Sequence, residues 1–243
     1  MSGEQKGQVK RRRGRPQREI LLIQIAANSR QSGRGAPEGK TRGVSGALWL
    51  LSLLICVFAV TVSFVYLDLP VARRMMGILG SAESLAKGLS SAVLLGLEAA
   101  VVLAQVGVRI THGRLSRFGE TTVLACLTSI CAHAINDGVL KPFFGVPSPT
   151  AVVFEGARHT FHLLRGFPDN SFPSGHMVLA GAFAGVFMRL NRTRTVLLCS
   201  LLAVAAVLLV VGDWHFVSDV IAGAFVGISA GVLAGEVWLA HSK

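Results

Sequence analysis

From Ala47 to Leu67 the chain runs for 21 residues without a charged side chain. About 20 apolar residues of helix cross the hydrocarbon core of a bilayer. Within lipid an α-helix satisfies its own backbone polar groups, whereas an isolated strand leaves an open edge. This one run therefore places the chain in a membrane and points to helices. Five further apolar runs follow: Gly88–Ile110, Thr121–Leu140, Ser174–Leu190, Thr195–Gly212 and His215–Ala240. The expected fold is all-α, a six-transmembrane-helix bundle over residues 46–243. Asp68 to Lys87, between the first two runs, is expected to form an interfacial helix outside the bilayer. Composition agrees, with 51% hydrophobic and 15% charged residues, and excludes an ordinary soluble domain. The first long run starts too late and is too long for a cleaved signal peptide. The four cysteines, Cys56, Cys126, Cys131 and Cys199, lack metal-ligand or CxxC spacing and read as buried small apolar residues.

The net charge of +11 is uneven. Residues 1–45 hold eleven Lys/Arg against three acids, a net +8, in a Gly-, Ser- and Gln-rich context. Such a tail is expected to be disordered. Its KRRRGRPQ stretch resembles an AT-hook, but the reading taken is a cytoplasmic polybasic arm that meets anionic lipid headgroups. Nucleic acid is not expected as a partner. The short run Ile20–Asn28 suits the membrane surface. With the tail inside, the connections holding Arg109, Arg114 and Arg117 and then Arg189, Arg192 and Arg194 also fall inside. Both termini are then cytoplasmic, and the expected location is a bacterial inner membrane with the outer loops facing the periplasm.

That orientation gathers Lys141, Ser174, His176, His215 and Asp219 at the outer face, from separate parts of the chain. Polar residues converging at one end of a bundle form a site pattern. His215 and Asp219, four apart, share a face at the start of the sixth helix. A carboxylate on one imidazole nitrogen fixes the tautomer and frees the other as nucleophile or base. Alone, the pair is also explained by an acid favoured at a helix N-terminus. Ser174, Gly175 and His176 open the fourth helix, where backbone N–H groups make an anion site. Capping accounts for Ser174 but not for His176. Lys141 adds a point charge, and alone it would read as a snorkelling lysine. Glu98, His133, Asn136 and Asp137 are further intramembrane polar groups, with Asp137 placed to pair with Lys141.

Three blocks taken together, KPFFG from Lys141, FPSGH at Phe172–His176 and HFVSDVIAG at His215–Gly223, resemble the type 2 phosphatidic acid phosphatase family. The resemblance covers roughly Ala47 to Ala240. It implies a metal-independent lipid phosphate phosphatase with no cofactor, acting on a lipid phosphate or diphosphate held in the bilayer. It further implies that His215 attacks phosphorus to form a phosphohistidine, that Asp219 orients it, and that His176 protonates the leaving oxygen. Lys141, Ser174 and the Gly175 backbone are then the phosphate-binding groups.

Two departures stand out. Ser148 occupies the position of the first block's arginine, and Leu209 that of the arginine six residues before the third-block histidine. Losing one preorganised donor typically lowers rates on the order of 10²–10³-fold. Arg158 or Arg165, in the outer loop ARHTFHLLRGF, is a candidate replacement; if that loop is helical, Arg158, His162 and Arg165 share a face. Interfacial contact with headgroups explains the same residues. A catalytically weak relative that binds headgroups or acts as a scaffold is the rival reading. A transporter, suggested by Glu98 and Asp137, ranks behind it for want of paired broken helices.

Overall fold

The computed structural model describes residues 45–79, 90–164 and 170–242. The polybasic arm, the short run at Ile20–Asn28 and Arg165 lie outside the described residues. Those described form helices and connections, with no strand among them.

The first helix, α1 (Gly46–Val62), starts where Ser45 Oγ accepts the Leu48 N–H at 3.2 Å, a side-chain N-cap. It does not stop at Leu67 to give a separate interfacial helix, as the sequence suggests. It continues through a π-helical turn, Ser63–Leu67, into α2 (Asp68–Leu79). The fold surrounds the Asp68 carboxylate with donors. Oδ1 accepts from Ser218 N at 3.0 Å and Oδ2 from Ser218 Oγ at 2.5 Å. His159 Nε2 stands 3.4 Å from Oδ2.

Next come α3 (Ser91–His112), ended by Gly113 at φ 72°, and α4 (Arg117–Ile135), capped by Ser116 Oγ on Gly119 N–H at 3.1 Å. A second π-helical turn, Asn136–Leu140, carries α4 into α5 (Lys141–Phe144). Gly145, at φ 58°, then turns the chain away, a left-handed conformation that glycine adopts without strain. Two elements follow: α6 (Pro149–Val153) and α7 (Gly175–Leu190). Beyond a short 3₁₀ turn, Arg192–Arg194, lie α8 (Thr195–Val211) and α9 (Val217–His241).

Among the described residues, five helical stretches are long and apolar enough to cross a membrane. α1 and α3 bury none of their residues within the protein. Helices that are apolar yet unburied need lipid as their solvent, which makes this an integral membrane protein. The exception is α7. Its 16 residues span only about 24 Å at 1.5 Å each, but 12 of them are buried, so α7 is the centre of the bundle. Cys126 is buried as expected, whereas Cys131 and Cys199 are exposed and Cys56 is intermediate; the last three sit on outward helix faces, which apolar surroundings tolerate equally.

Two stripes of small residues set the centre. Gly181 and Gly185 of α7 face Gly227 and Gly231 of α9. A Cβ on Gly227 would lie 2.5 Å from the Val178 carbonyl oxygen, and one on Gly223 would lie 2.6 Å from that of Ser174. Only glycine admits backbones this close. The contacts advance in the same direction along both helices, so α7 and α9 run parallel with their N-termini side by side. At the other end Arg189, buried rather than in a loop, pairs with Glu236 of α9 through Nε (2.6 Å) and Nη2 (2.9 Å). One hydrogen bond and one close ion-pair contact from a guanidinium to a carboxylate fix that end as well.

Candidate active site at two parallel helix N-termini

Because α7 and α9 run parallel, the groups at their starts meet. Ser174 caps α7, its Oγ accepting from Met177 N at 3.4 Å. Its own N–H donates to the Asp219 carbonyl oxygen at 3.1 Å, so the two starts are tied directly. Asn136 Nδ2 donates to the Pro173 carbonyl oxygen at 3.2 Å and fixes the turn before α7.

His215 is not inside the sixth long helix, as the sequence suggests. α9 begins at Val217 with Phe216 as N-cap. The pairing with Asp219 survives, because Asp219 is the third residue of the helix and turns back. Its Oδ2 accepts from Phe216 N at 2.9 Å and lies 3.4 Å from His215 Nδ1. Ser171, not singled out from sequence, completes the arrangement. Its Oγ lies 3.1 Å from His215 Nδ1 and donates to Asp219 Oδ2 in a short hydrogen bond. The signal available was its place in NSFPSGH, three residues before the cap, but serine in a turn is commonplace.

These contacts order the protons. The Ser171 hydroxyl hydrogen is committed to Asp219, so the Ser171 oxygen and the carboxylate both accept at His215 Nδ1. The tautomer with hydrogen on Nδ1 fits, and Nε2 is left with its lone pair. Nε2 lies 3.5 Å from His176 Nδ1. The His176 ring also lies 5.3 Å, centroid to centroid, from Trp214. The two histidines therefore face one small volume.

Lys141 approaches the start of α7 from the α4–α5 side. Its Nζ pairs with Asp137 Oδ1 at 2.8 Å, as the i,i+4 spacing suggests. It also lies 3.4 Å from the point where Gly175 would carry a Cβ. Ser174 is fully buried, and since its oxygen already accepts from Met177, what it offers an anion is its hydroxyl proton.

Of the two candidate replacements for arginine, Arg158 alone lies among the described residues. Arg158 is exposed, its carbonyl oxygen accepts from Thr160 N at 2.9 Å, its side chain forms no hydrogen bond or ion pair with a described residue, and the loop around it is not helical; Arg165 lies outside the described residues. The loop is held otherwise. The His159 ring stacks on Phe64 at 4.1 Å and lies 4.5 Å from the Phe216 ring, while His162 N–H and Nδ1 approach the Gly145 carbonyl oxygen at 3.3 and 3.1 Å. Ser148 caps α6 through its Oγ on Ala151 N–H at 3.2 Å. Leu209 is buried in a cluster with Met177 and Val220. Glu98 accepts from Ser129 Oγ at 2.7 Å, tying α3 to α4. Among the described residues no group of three or more His, Cys, Asp or Glu is placed to hold a metal ion.

Neither the curated proteins nor the solved structures contain a match to this chain. The family model of the PAP2 superfamily matches residues 122–241, from the second turn of α4 to the end of α9. That stretch encloses both parallel helices together with Lys141, Ser171, Ser174, His176, His215 and Asp219, and through it the chain belongs to the PAP2 superfamily.

Proposed function

We propose that the protein is a six-crossing membrane phosphatase that hydrolyses a lipid phosphate or diphosphate through a phosphohistidine on His215. The observation that carries this is the 3.5 Å approach of His215 Nε2 to His176 Nδ1, with His215 Nδ1 backed by Ser171 and Asp219. Membership of the PAP2 superfamily supports phosphatase chemistry.

In the proposed reaction the phosphate rests against the α7 N-terminus, the Ser174 hydroxyl and Lys141. The His215 Nε2 lone pair attacks phosphorus, and the bond from phosphorus to the lipid oxygen breaks. Its electron pair stays on the leaving oxygen, which takes a proton from His176. Asp219 and Ser171 balance the charge that grows on the His215 ring. Water then attacks the phosphohistidine while His176 removes its proton, the phosphorus–nitrogen bond breaks, and His215 returns with inorganic phosphate released. The apolar outer helices hold the lipid chain beside the site. The polybasic arm at the N-terminus meets anionic headgroups on the cytoplasmic side, and the site faces out of a bacterial inner membrane.

The test is release of phosphate from a panel of lipid phosphates and diphosphates by the purified chain, with His215→Ala alongside. Radiolabelled substrate should leave an acid-labile, base-stable phosphoryl group on the wild type and none on His215→Ala. Release that survives in His215→Ala would reject the mechanism.

A second reading has one observation in its favour. Ser148 and Leu209 stand where guanidiniums are expected, and each has a structural task, one as a cap and one in the core. A weak or inactive member that binds headgroups fits that pattern. No release from any member of the panel, together with activity gained in the Ser148→Arg, Leu209→Arg double variant, would favour it.

A further inference from the structure

The proposed phosphatase leaves a deficit of positive charge: neither expected arginine is present, and Arg158 does not reach the site. A histidine stands beside Lys141 instead. His133, Asp137 and Lys141 follow one another at intervals of four along the helix that leaves α4, on one face. His133 Nε2 lies 3.2 Å from Asp137 Oδ2, and Asp137 Oδ1 lies 2.8 Å from Lys141 Nζ. The His133 side chain is only 6% exposed. Its other nitrogen, Nδ1, is buried without a hydrogen-bond partner among the described residues.

That nitrogen borders the start of α7. The point where Gly175 would carry a Cβ is 2.8 Å from His133 Cε1, 3.2 Å from His133 Nδ1 and 3.4 Å from Lys141 Nζ. A buried imidazole nitrogen and an ammonium thus converge on the first residue of a 16-residue helix. The first backbone N–H groups of a helix have no intrahelical partner and favour an anion. Glycine keeps this volume clear of a side chain. A buried nitrogen with no partner is an uncommon feature that calls for a ligand.

We propose that His133 is a phosphate ligand. As an imidazolium it donates from both nitrogens. Nε2–H is held by Asp137, and Nδ1–H is given to a phosphate oxygen seated at the α7 N-terminus beside Lys141. His133 then supplies from α4 a cationic donor that Ser148 and Leu209 do not. The inference rests on the phosphatase reading and adds a ligand to its site.

The test uses the full chain in lipid nanodiscs and inorganic phosphate as the probe, with affinity measured by calorimetry and KM and kcat measured on the best lipid phosphate. His133→Gln preserves a donor toward Asp137 but carries no charge. A hydrogen bond from a charged donor is stronger than one from a neutral donor, so the variant should bind phosphate on the order of tenfold more weakly and raise KM. Its unfolding temperature should stay close to that of the wild type. Unchanged phosphate affinity in a folded His133→Gln protein overturns the inference. Should that variant fail to fold, ¹⁵N-histidine spectra of the wild type decide: a His133 Nδ1 resonance that does not move at saturating phosphate overturns it equally. His215→Ala separates the two levels, since it should stop turnover and still bind phosphate. A wild type that neither binds nor releases phosphate removes the phosphatase reading itself.

Discussion

Ser171 Oγ sits 3.1 Å from His215 Nδ1 and hands its own hydrogen to Asp219. The carboxylate is thereby coupled to the imidazole partly through a hydroxyl, with the direct Nδ1–Oδ2 distance at 3.4 Å. Removing that hydroxyl should loosen the ring without abolishing the nucleophile. Ser171→Ala is expected to lower kcat about tenfold, a loss of about 1.4 kcal/mol in transition-state stabilisation, with KM nearly unchanged. His215→Ala should fall to background. Steady-state phosphate release decides, and a Ser171→Ala enzyme with wild-type kcat would show the hydroxyl to be a bystander.

Asp68 braces the same helix start from behind. Its carboxylate is fully buried and holds both the N–H and the hydroxyl of Ser218, one residue before Asp219. Asp68→Asn substitutes a donor for one acceptor oxygen in that pocket. Leaving a buried polar group unpaired costs about 1–3 kcal/mol, so the variant should unfold at lower temperature in detergent and lose kcat as the α9 start shifts. Equal thermal stability in wild type and variant would contradict this.

The close packing of α7 on α9 makes a sharper contrast. Gly227→Val should prevent the native bundle from forming, because even its Cβ would meet Val178 O at 2.5 Å and Ala182 N at 2.9 Å. Those atoms belong to backbone and cannot swing aside; overpacking costs typically about 1–3 kcal/mol even where side chains yield. Gly96→Ala, with nothing within 4 Å of the added methyl, should be neutral or slightly stabilising. Size-exclusion profiles and thermal melts of the two variants test the pair.

Asp213, in the turn between α8 and α9, has its carboxyl raised by burial to about 6 from an ordinary 3.8. A raised folded-state value means that the folded protein holds the proton more tightly than the unfolded chain. Stability should therefore be greatest below about pH 4, decline as pH rises toward 6, and carry a constant penalty above that. Asp213→Asn removes the penalty. Asp213 has φ 62°, and asparagine tolerates the left-handed region well. The variant should raise the melting temperature at pH 8 more than at pH 4. An equal change at both would separate the effect from the carboxyl.

The apolar runs and their lengths were enough to establish helices in a membrane, since satisfying backbone groups in lipid is a local requirement met within each segment. The three motif blocks named Lys141, Ser174, Gly175, His176, His215 and Asp219, because their residue types and order are carried by the chain itself. What joins Ser174 to Asp219 is decided by two rows of glycine meeting across α7 and α9, and that depends on rotation and register between helices far apart in sequence. For the same reason Ser171, Asp68 and His133 could not be distinguished from an ordinary turn serine, a helix-ending acid and a core histidine. A carboxylate or imidazole is tolerated in such an interior only when partners from other segments surround it, and only the tertiary structure brings those partners in.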